Sequence, residues 1–306
     1  MSASVGDGLQ PTLAELIALR SAAQRKPPAR KGRYGHAGPA ASSLRGRGME
    51  YAESREYIAG DDVRHIDWRL TARSGRTHTK LFQAERERLT LAVADTSPAL
   101  YFGTRVRFKS VQAARAGAVA VWAAVRDGDR VAALRGSQRE APVAPASGPR
   151  GALRVLDALT RWYAGPPADD AGLATALDGA ARLLRPGSRL VVLADARSVA
   201  SIADSRWPAL AAHHEVVLLL LTDALETAPP QATLPFALQD RRLELDLGDE
   251  MQRGRWRDEF SLPLQQALQS LPRCGVQVRA LQGDAPSDSW LPLPLPLPGR
   301  AQPRVA

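Results

Sequence analysis

The chain has 306 residues, of which 44% are hydrophobic and 24% charged; that is enough apolar material for a sizeable core and excludes a wholly disordered, collagen-like or coiled-coil protein. Lys and Arg number 41 against 32 Asp and Glu, and the net charge of +9 permits a polyanionic partner without demanding one. The single cysteine, Cys274, excludes a disulfide framework and a multi-cysteine zinc site and fits a reducing cytoplasm.

At roughly 150 residues per domain, the length suits two domains or one α/β domain with extensions. Met1 to Gln10 lacks the positive and apolar regions of a secretory leader. Apolar runs such as Val216 to Leu221 fall far short of the ~20 residues of a membrane span. The expectation is a soluble cytoplasmic protein.

Apolar residues at Leu13, Leu16, Ile17 and Ala22 predict a short amphipathic helix over 11–24. From Arg20 to Arg47 eight basic residues occur with no acidic one, and Pro27, Pro28, Gly32, Gly35, Gly38 and Pro39 interrupt regular structure. This segment reads as a basic arm, so that 1–48 forms an N-terminal extension. Charges become dense and mixed over 49–88, read as a segment packed on the main body.

An α/β rhythm follows over 89–285. Strands are predicted over 89–95, 129–134, 189–195, 216–222 and 276–281. Helices are predicted over 111–126, 151–163, 173–184, 202–213 and 256–271, and an edge hairpin over 236–247. Helices alternating with buried strands predict a Rossmann-like, doubly wound, mostly parallel sheet. The Leu-Pro alternation over 292–298 reads as a polyproline-like part of a Pro-rich tail, 286–306.

Two strands end in carboxylates, Leu91-Ala-Val-Ala-Asp95 and Leu190-Val-Val-Leu-Ala-Asp195. Ligands bind at this edge of such sheets. The turn Asp95-Thr96-Ser97-Pro98-Ala99 resembles the cation-binding turn of the von Willebrand factor A domain. That resemblance implies Asp95, Ser97 and Asp195 as ligands of a divalent cation. Ala99 and Ala171 stand where the resemblance calls for hydroxyls, so at most weak Mg²⁺ binding is expected unless Asp169 or Asp170 compensates. The plainer reading of Asp95 is a loop cap that accepts backbone N–H bonds.

Ahead of that turn stand Gly48-Met-Glu50, Ser54-Arg55-Glu56-Tyr57, Gly60-Asp61-Asp62-Val63-Arg64-His65-Ile66-Asp67-Trp68 and Ala72-Arg73-Ser74-Gly75. They resemble the signature of a bacterial family, domain of unknown function fifty-eight, whose members carry a von Willebrand A-like domain. The resemblance implies a MoxR-type AAA+ ATPase as partner. Glu50, Arg55, Tyr57, Gly60, Asp61, Asp62, Arg64, Asp67, Trp68 and Arg73 are its signature residues here. They read either as a structural ion-pair network, with Arg64, Asp67 and Trp68 buried, or as a docking surface rich in Trp, Tyr and Arg.

No catalytic residue is assigned. Ser97 lacks a Gly-x-Ser-x-Gly elbow, and no phosphate-binding glycine loop occurs. His36, His65, His78, His213 and His214 show no metal-ligand spacing, and Cys274 reads as packing. No cofactor is expected. The expected function is a non-enzymatic interaction module, an adaptor or substrate recruiter for the ATPase; the alternative is a basic nucleic-acid-binding protein.

Overall fold

In the computed structural model, residues 7–24, 49–84, 88–238 and 241–291 are described. The basic arm from 25 onward and the Leu-Pro stretch from 292 lie outside them. The chain forms two compact units, residues 32–87 and residues 1–31 with 88–306.

The larger unit opens with Leu13–Ala18 (α1), capped by Thr12, and Arg20–Gln24 (α2). The smaller contains Met49–Glu56 (β1), Trp68–Ser74 (α3) and His78–Ala84 (β2), with β1 antiparallel to β2. The main body then runs Leu89–Ala94 (β3), Lys109–Arg126 (α4), Arg130–Arg135 (β4), Val143–Ser147 (β5), Gly148–Trp162 (α5) and Gly172–Leu183 (α6). It continues with Arg189–Ala194 (β6), Ala196–Ala200 (α7), Arg206–Ala211 (α8), Glu215–Thr222 (β7), Ala224–Thr227 (α9), Thr233–Leu238 (β8) and Arg241–Asp246 (β9). Glu250–Trp256 (α10), a π-helical turn Arg257–Ser261, Leu262–Ser270 (α11) and Gln277–Gln282 (β10) complete it.

The six-stranded sheet has the order β10-β7-β6-β3-β4-β5, parallel throughout except for β5. Its four inner strands, β7, β6, β3 and β4, are near-continuous apolar runs because both faces are covered. Along β7, Val217, Leu219 and Leu221 enter one core layer with α1, α2, α4 and α5. Val216, Leu218 and Leu220 enter the other, with α6, α7, α8 and α11. The mostly parallel α/β body thus follows the predicted rhythm. The chain leaves β3 toward β4 and later returns to β6 on the other side, so the strand order reverses at β3.

Three elements differ from expectation. The hairpin β8–β9 forms a sheet of its own, and β10 and β5 occupy the edges of the main sheet. The helix expected over 202–213 is found only as the shorter α8, and an unexpected helix, α7, precedes it because Asp195 caps a helix starting directly after β6. The helix expected over 256–271 starts earlier, at α10, and passes through the π turn. Among the described residues, no helix is long and apolar enough to cross a membrane.

Candidate functional site

The reversal of strand order brings the ends of β3 and β6 side by side. Asp95 is 1% exposed. Its Oδ1 accepts from the Ser97 amide at 2.9 Å, and its Oδ2 accepts from the Asp195 amide at 3.1 Å and from Ser97 Oγ at 3.3 Å. Ser198 Oγ extends the chain to Ser97 Oγ at 3.2 Å. The three residues implied as cation ligands therefore do meet, but their oxygens hold one another and the backbone. Burial pushes the Asp95 carboxyl above its ordinary value; the bonds from Ser198, Ser97 and Asp195 oppose that rise.

Asp195 caps α7, its Oδ1 accepting from the Arg197 amide at 2.9 Å. Its Oδ2 accepts from Lys109 Nζ at 2.7 Å. Lys109 is fully buried, and its ammonium also donates to Glu226 Oε1. Burial raises the Asp195 carboxyl, but Lys109, the Arg197 amide and the Arg197 guanidinium outweigh it and hold the group below its ordinary value. Glu226 goes the other way. Burial pushes it up, Lys109 only partly offsets that, and the Asp195 charge adds to the rise.

Glu226 belongs to a capping box on α9. Asp223 accepts from Leu225 N at 2.9 Å, and Glu226 Oε2 accepts from Asp223 N at 3.0 Å. Asp223 also holds the loop before α4, through Thr104 N at 2.9 Å and Thr104 Oγ1 at 2.6 Å. The π turn lays Phe260 under the Arg197 guanidinium, 4.9 Å from the ring centre, and pairs Glu259 with it at 3.0 Å.

The residues proposed to complete a cation shell are engaged elsewhere. Asp169 accepts from Arg135 Nη2 at 2.7 Å and Ser137 Oγ at 2.6 Å. Asp170 accepts from Thr96 Oγ1 at 2.7 Å. Ala171, ahead of α6, donates its amide to Gly136 O. Among the described residues, no three His, Cys, Asp or Glu side chains gather as a cation cage. His213 and His214 stand edge to face, and Cys274 is half-buried.

Lys109, Glu226 and Asp223 are absent from the sequence-based site. Two signals for them exist. A lysine at the first position of a helix opposes the helix dipole and needs carboxylates to hold it. Asp223-x-x-Glu226 directly after an apolar strand is a capping box.

Within the smaller unit the signature residues form local pairs. Asp61 binds Arg55 Nη2 at 2.6 Å and the Ile58 amide at 3.0 Å, and Tyr57 OH donates to Asp61 O at 3.3 Å. Gly60 stands in this turn at φ 108°, where other residues would be strained. Asp62 and Arg64 pair through two bonds, at 3.1 and 2.9 Å, and Arg64 draws the Asp62 carboxyl down to about 2. Asp67 caps α3 by accepting from Leu70 N at 3.1 Å, and accepts from Ser54 Oγ at 3.2 Å. Glu50 lies in β1 opposite Gln83.

The expected burial of Arg64, Asp67 and Trp68 is not what the structure has. Trp68 is 70% exposed, Arg64 is exposed and Asp67 half-buried. The reason is local: Arg64 satisfies its guanidinium within its own turn, and α3 turns Trp68, Arg69 and Arg73 to solvent.

The family model described as "Protein of unknown function DUF58" matches residues 53–263. The chain belongs to this family. It is 32% identical over 193 residues to uncharacterized proteins of Mycobacterium tuberculosis and Mycobacterium bovis. That stretch covers 60% of this chain and 58% of each relative, so the match spans less than two thirds of their length. The crystal structure of an aerotolerance-related membrane protein from Bacteroides fragilis, carrying multiple mutations to serines, is similar at a TM-score of 0.40 and 14% identity. The similarity covers 66% of this chain and 94% of that one.

Proposed function

We propose that this chain is a non-enzymatic protein-interaction module of the cytoplasm, acting as adaptor or substrate recruiter for a MoxR-type AAA+ ATPase. The observation that carries this reading is the exposed face of α3. Trp68, Arg69 and Arg73 stand in solvent there, with Ile58 and Val63 exposed elsewhere in the same unit. Trp and Arg are enriched at interface hot spots. The carboxyl edge of the sheet supports the non-enzymatic part. Asp95, Lys109, Asp195 and Glu226 are bonded to one another, an arrangement that fixes loops rather than poising a nucleophile against a base.

The von Willebrand A-like kinship is part of the same proposal. It is supported by the central β3, by the strand order reversing there, and by the Asp95-Thr96-Ser97 turn at the reversal.

The test is a pull-down and titration calorimetry with a purified MoxR-type AAA+ ATPase from the same organism, in each nucleotide state. Wild type should bind, and Trp68→Ala with Arg73→Ala should weaken binding at least tenfold. If no nucleotide state gives a complex, the adaptor reading falls.

A further inference from the structure

Lys109 is a buried lysine held between two carboxylates. It begins α4, at the positive end of the helix dipole, where a cation is disfavoured. It is nonetheless fully buried, with its ammonium between Asp195, at the end of β6, and Glu226, on α9 after β7. A buried charge persists only when paired and hydrogen-bonded.

The resemblance to von Willebrand A domains implies a divalent cation on Asp95, Ser97 and Asp195. The residues present do not fit one. Asp195 Oδ2 is committed to the ammonium and Oδ1 to Arg197. Both oxygens of Asp95 are committed to amides, and Ser97 Oγ to Asp95 and Ser198. Asp169 and Asp170 face other partners. A dication bound to Asp195 would sit against the ammonium that already uses it.

We infer that Lys109 is a tethered cation standing in for a divalent ion. The positive charge that organises the carboxyl edge is supplied covalently by α4, so the fold of this edge is independent of metal. Lys109 draws together the β6–α7 junction and the cap of α9. The Asp195 amide in turn holds Asp95, so one ammonium links three loop ends. This inference is independent of the ATPase reading.

The test compares wild type, Lys109→Ala and Lys109→Met by thermal unfolding and Mn²⁺ equilibrium dialysis, with Mg²⁺, Mn²⁺, methylammonium or chelator added. The expected result has three parts. Wild type is unmoved by metal or chelator and retains no Mn²⁺. Lys109→Ala melts lower and regains several degrees with millimolar Mn²⁺ or methylammonium. Lys109→Met, which fills the space without charge, melts lower and regains nothing. If Lys109→Ala does not fold, its refolding yield with and without these cations is the readout, and recovery should require a cation. The inference is overturned if wild type gains several degrees with Mg²⁺ and loses them with chelator. It is equally overturned if Lys109→Ala responds to neither metal nor amine in melting or refolding.

Discussion

Asp195 can lose its charge without losing its cap, since asparagine is as good an N-cap as aspartate. Asp195→Asn therefore isolates the ion pair with Lys109. Removing one partner of a buried pair costs about 3–5 kcal/mol. The direction of the pH dependence follows from the Asp195 carboxyl lying below its ordinary value of 3.8 in the fold. Its ionised form stabilises the native state, in full above the ordinary value. The contribution disappears as pH falls through the lower, folded value. Urea unfolding should show a wide gap between wild type and Asp195→Asn at neutral pH, closing as pH falls below about 4. A gap of constant width down to acid pH would contradict this pairing. At this scale the sequence revealed half of the cluster. Asp95 and Asp195 stand out because each ends an apolar strand. Lys109 does not, because a lone lysine ahead of an apolar helix reads as solvated, and its partners lie 86 and 117 residues away.

Element by element, α4 and α3 are opposite cases. α4 is buried around most of its circumference, and at Gly117 it packs tightly against β6 and α5. A methyl there would lie 2.9 Å from Leu193 Cδ1 and 3.0 Å from Leu159 Cδ1. Alanine is the better helix former by about 1 kcal/mol, yet overpacking a tight core costs about 1–3 kcal/mol. Gly117→Ala should lower the denaturation midpoint; an increase would mean that β6 and α5 yield easily. In α3 stability rests on the cap. Asp67→Ala should cost about 1 kcal/mol locally, speeding amide exchange over 68–74 about fivefold. Trp68→Ala, at an exposed position, should stay within about 0.5 kcal/mol. Comparable protection losses in both variants would show that Trp68 packs in solution. Long periodic elements such as α4, α5 and β7 were legible from pattern alone. The short strand β5 was not, because Val143-Ala-Pro-Ala-Ser147 is too small and too interrupted by proline to read as a strand. Arg64 and Trp68 are exposed where burial is expected, because mixed charge and aromatics look alike in a core network and on a docking face.

The whole molecule carries a net charge of +9, and charge alone would suit an acidic protein or a nucleic acid. The two make different demands on salt. Eight basic side chains from Arg20 to Arg47 neutralising eight phosphates would give a slope of log affinity against log salt near −7. A protein partner gripped through Trp68, Arg69 and Arg73 draws on apolar burial and a few charge pairs, so its slope should be far shallower. Stacking platforms for single strands need aromatics among the basic residues, and that basic run offers only Tyr34. The expectation is weak nucleic-acid binding, lost at physiological salt and indifferent to Trp68→Ala. The proposed ATPase complex should persist at that salt and depend on Trp68. Fluorescence anisotropy with a labelled duplex and a labelled single strand, run across a salt series beside the ATPase titration, measures both slopes on one preparation. Nanomolar nucleic-acid binding that survives physiological salt would make the basic run the functional surface. A steep slope for the ATPase complex, unaffected by Trp68→Ala, would move its interface away from α3.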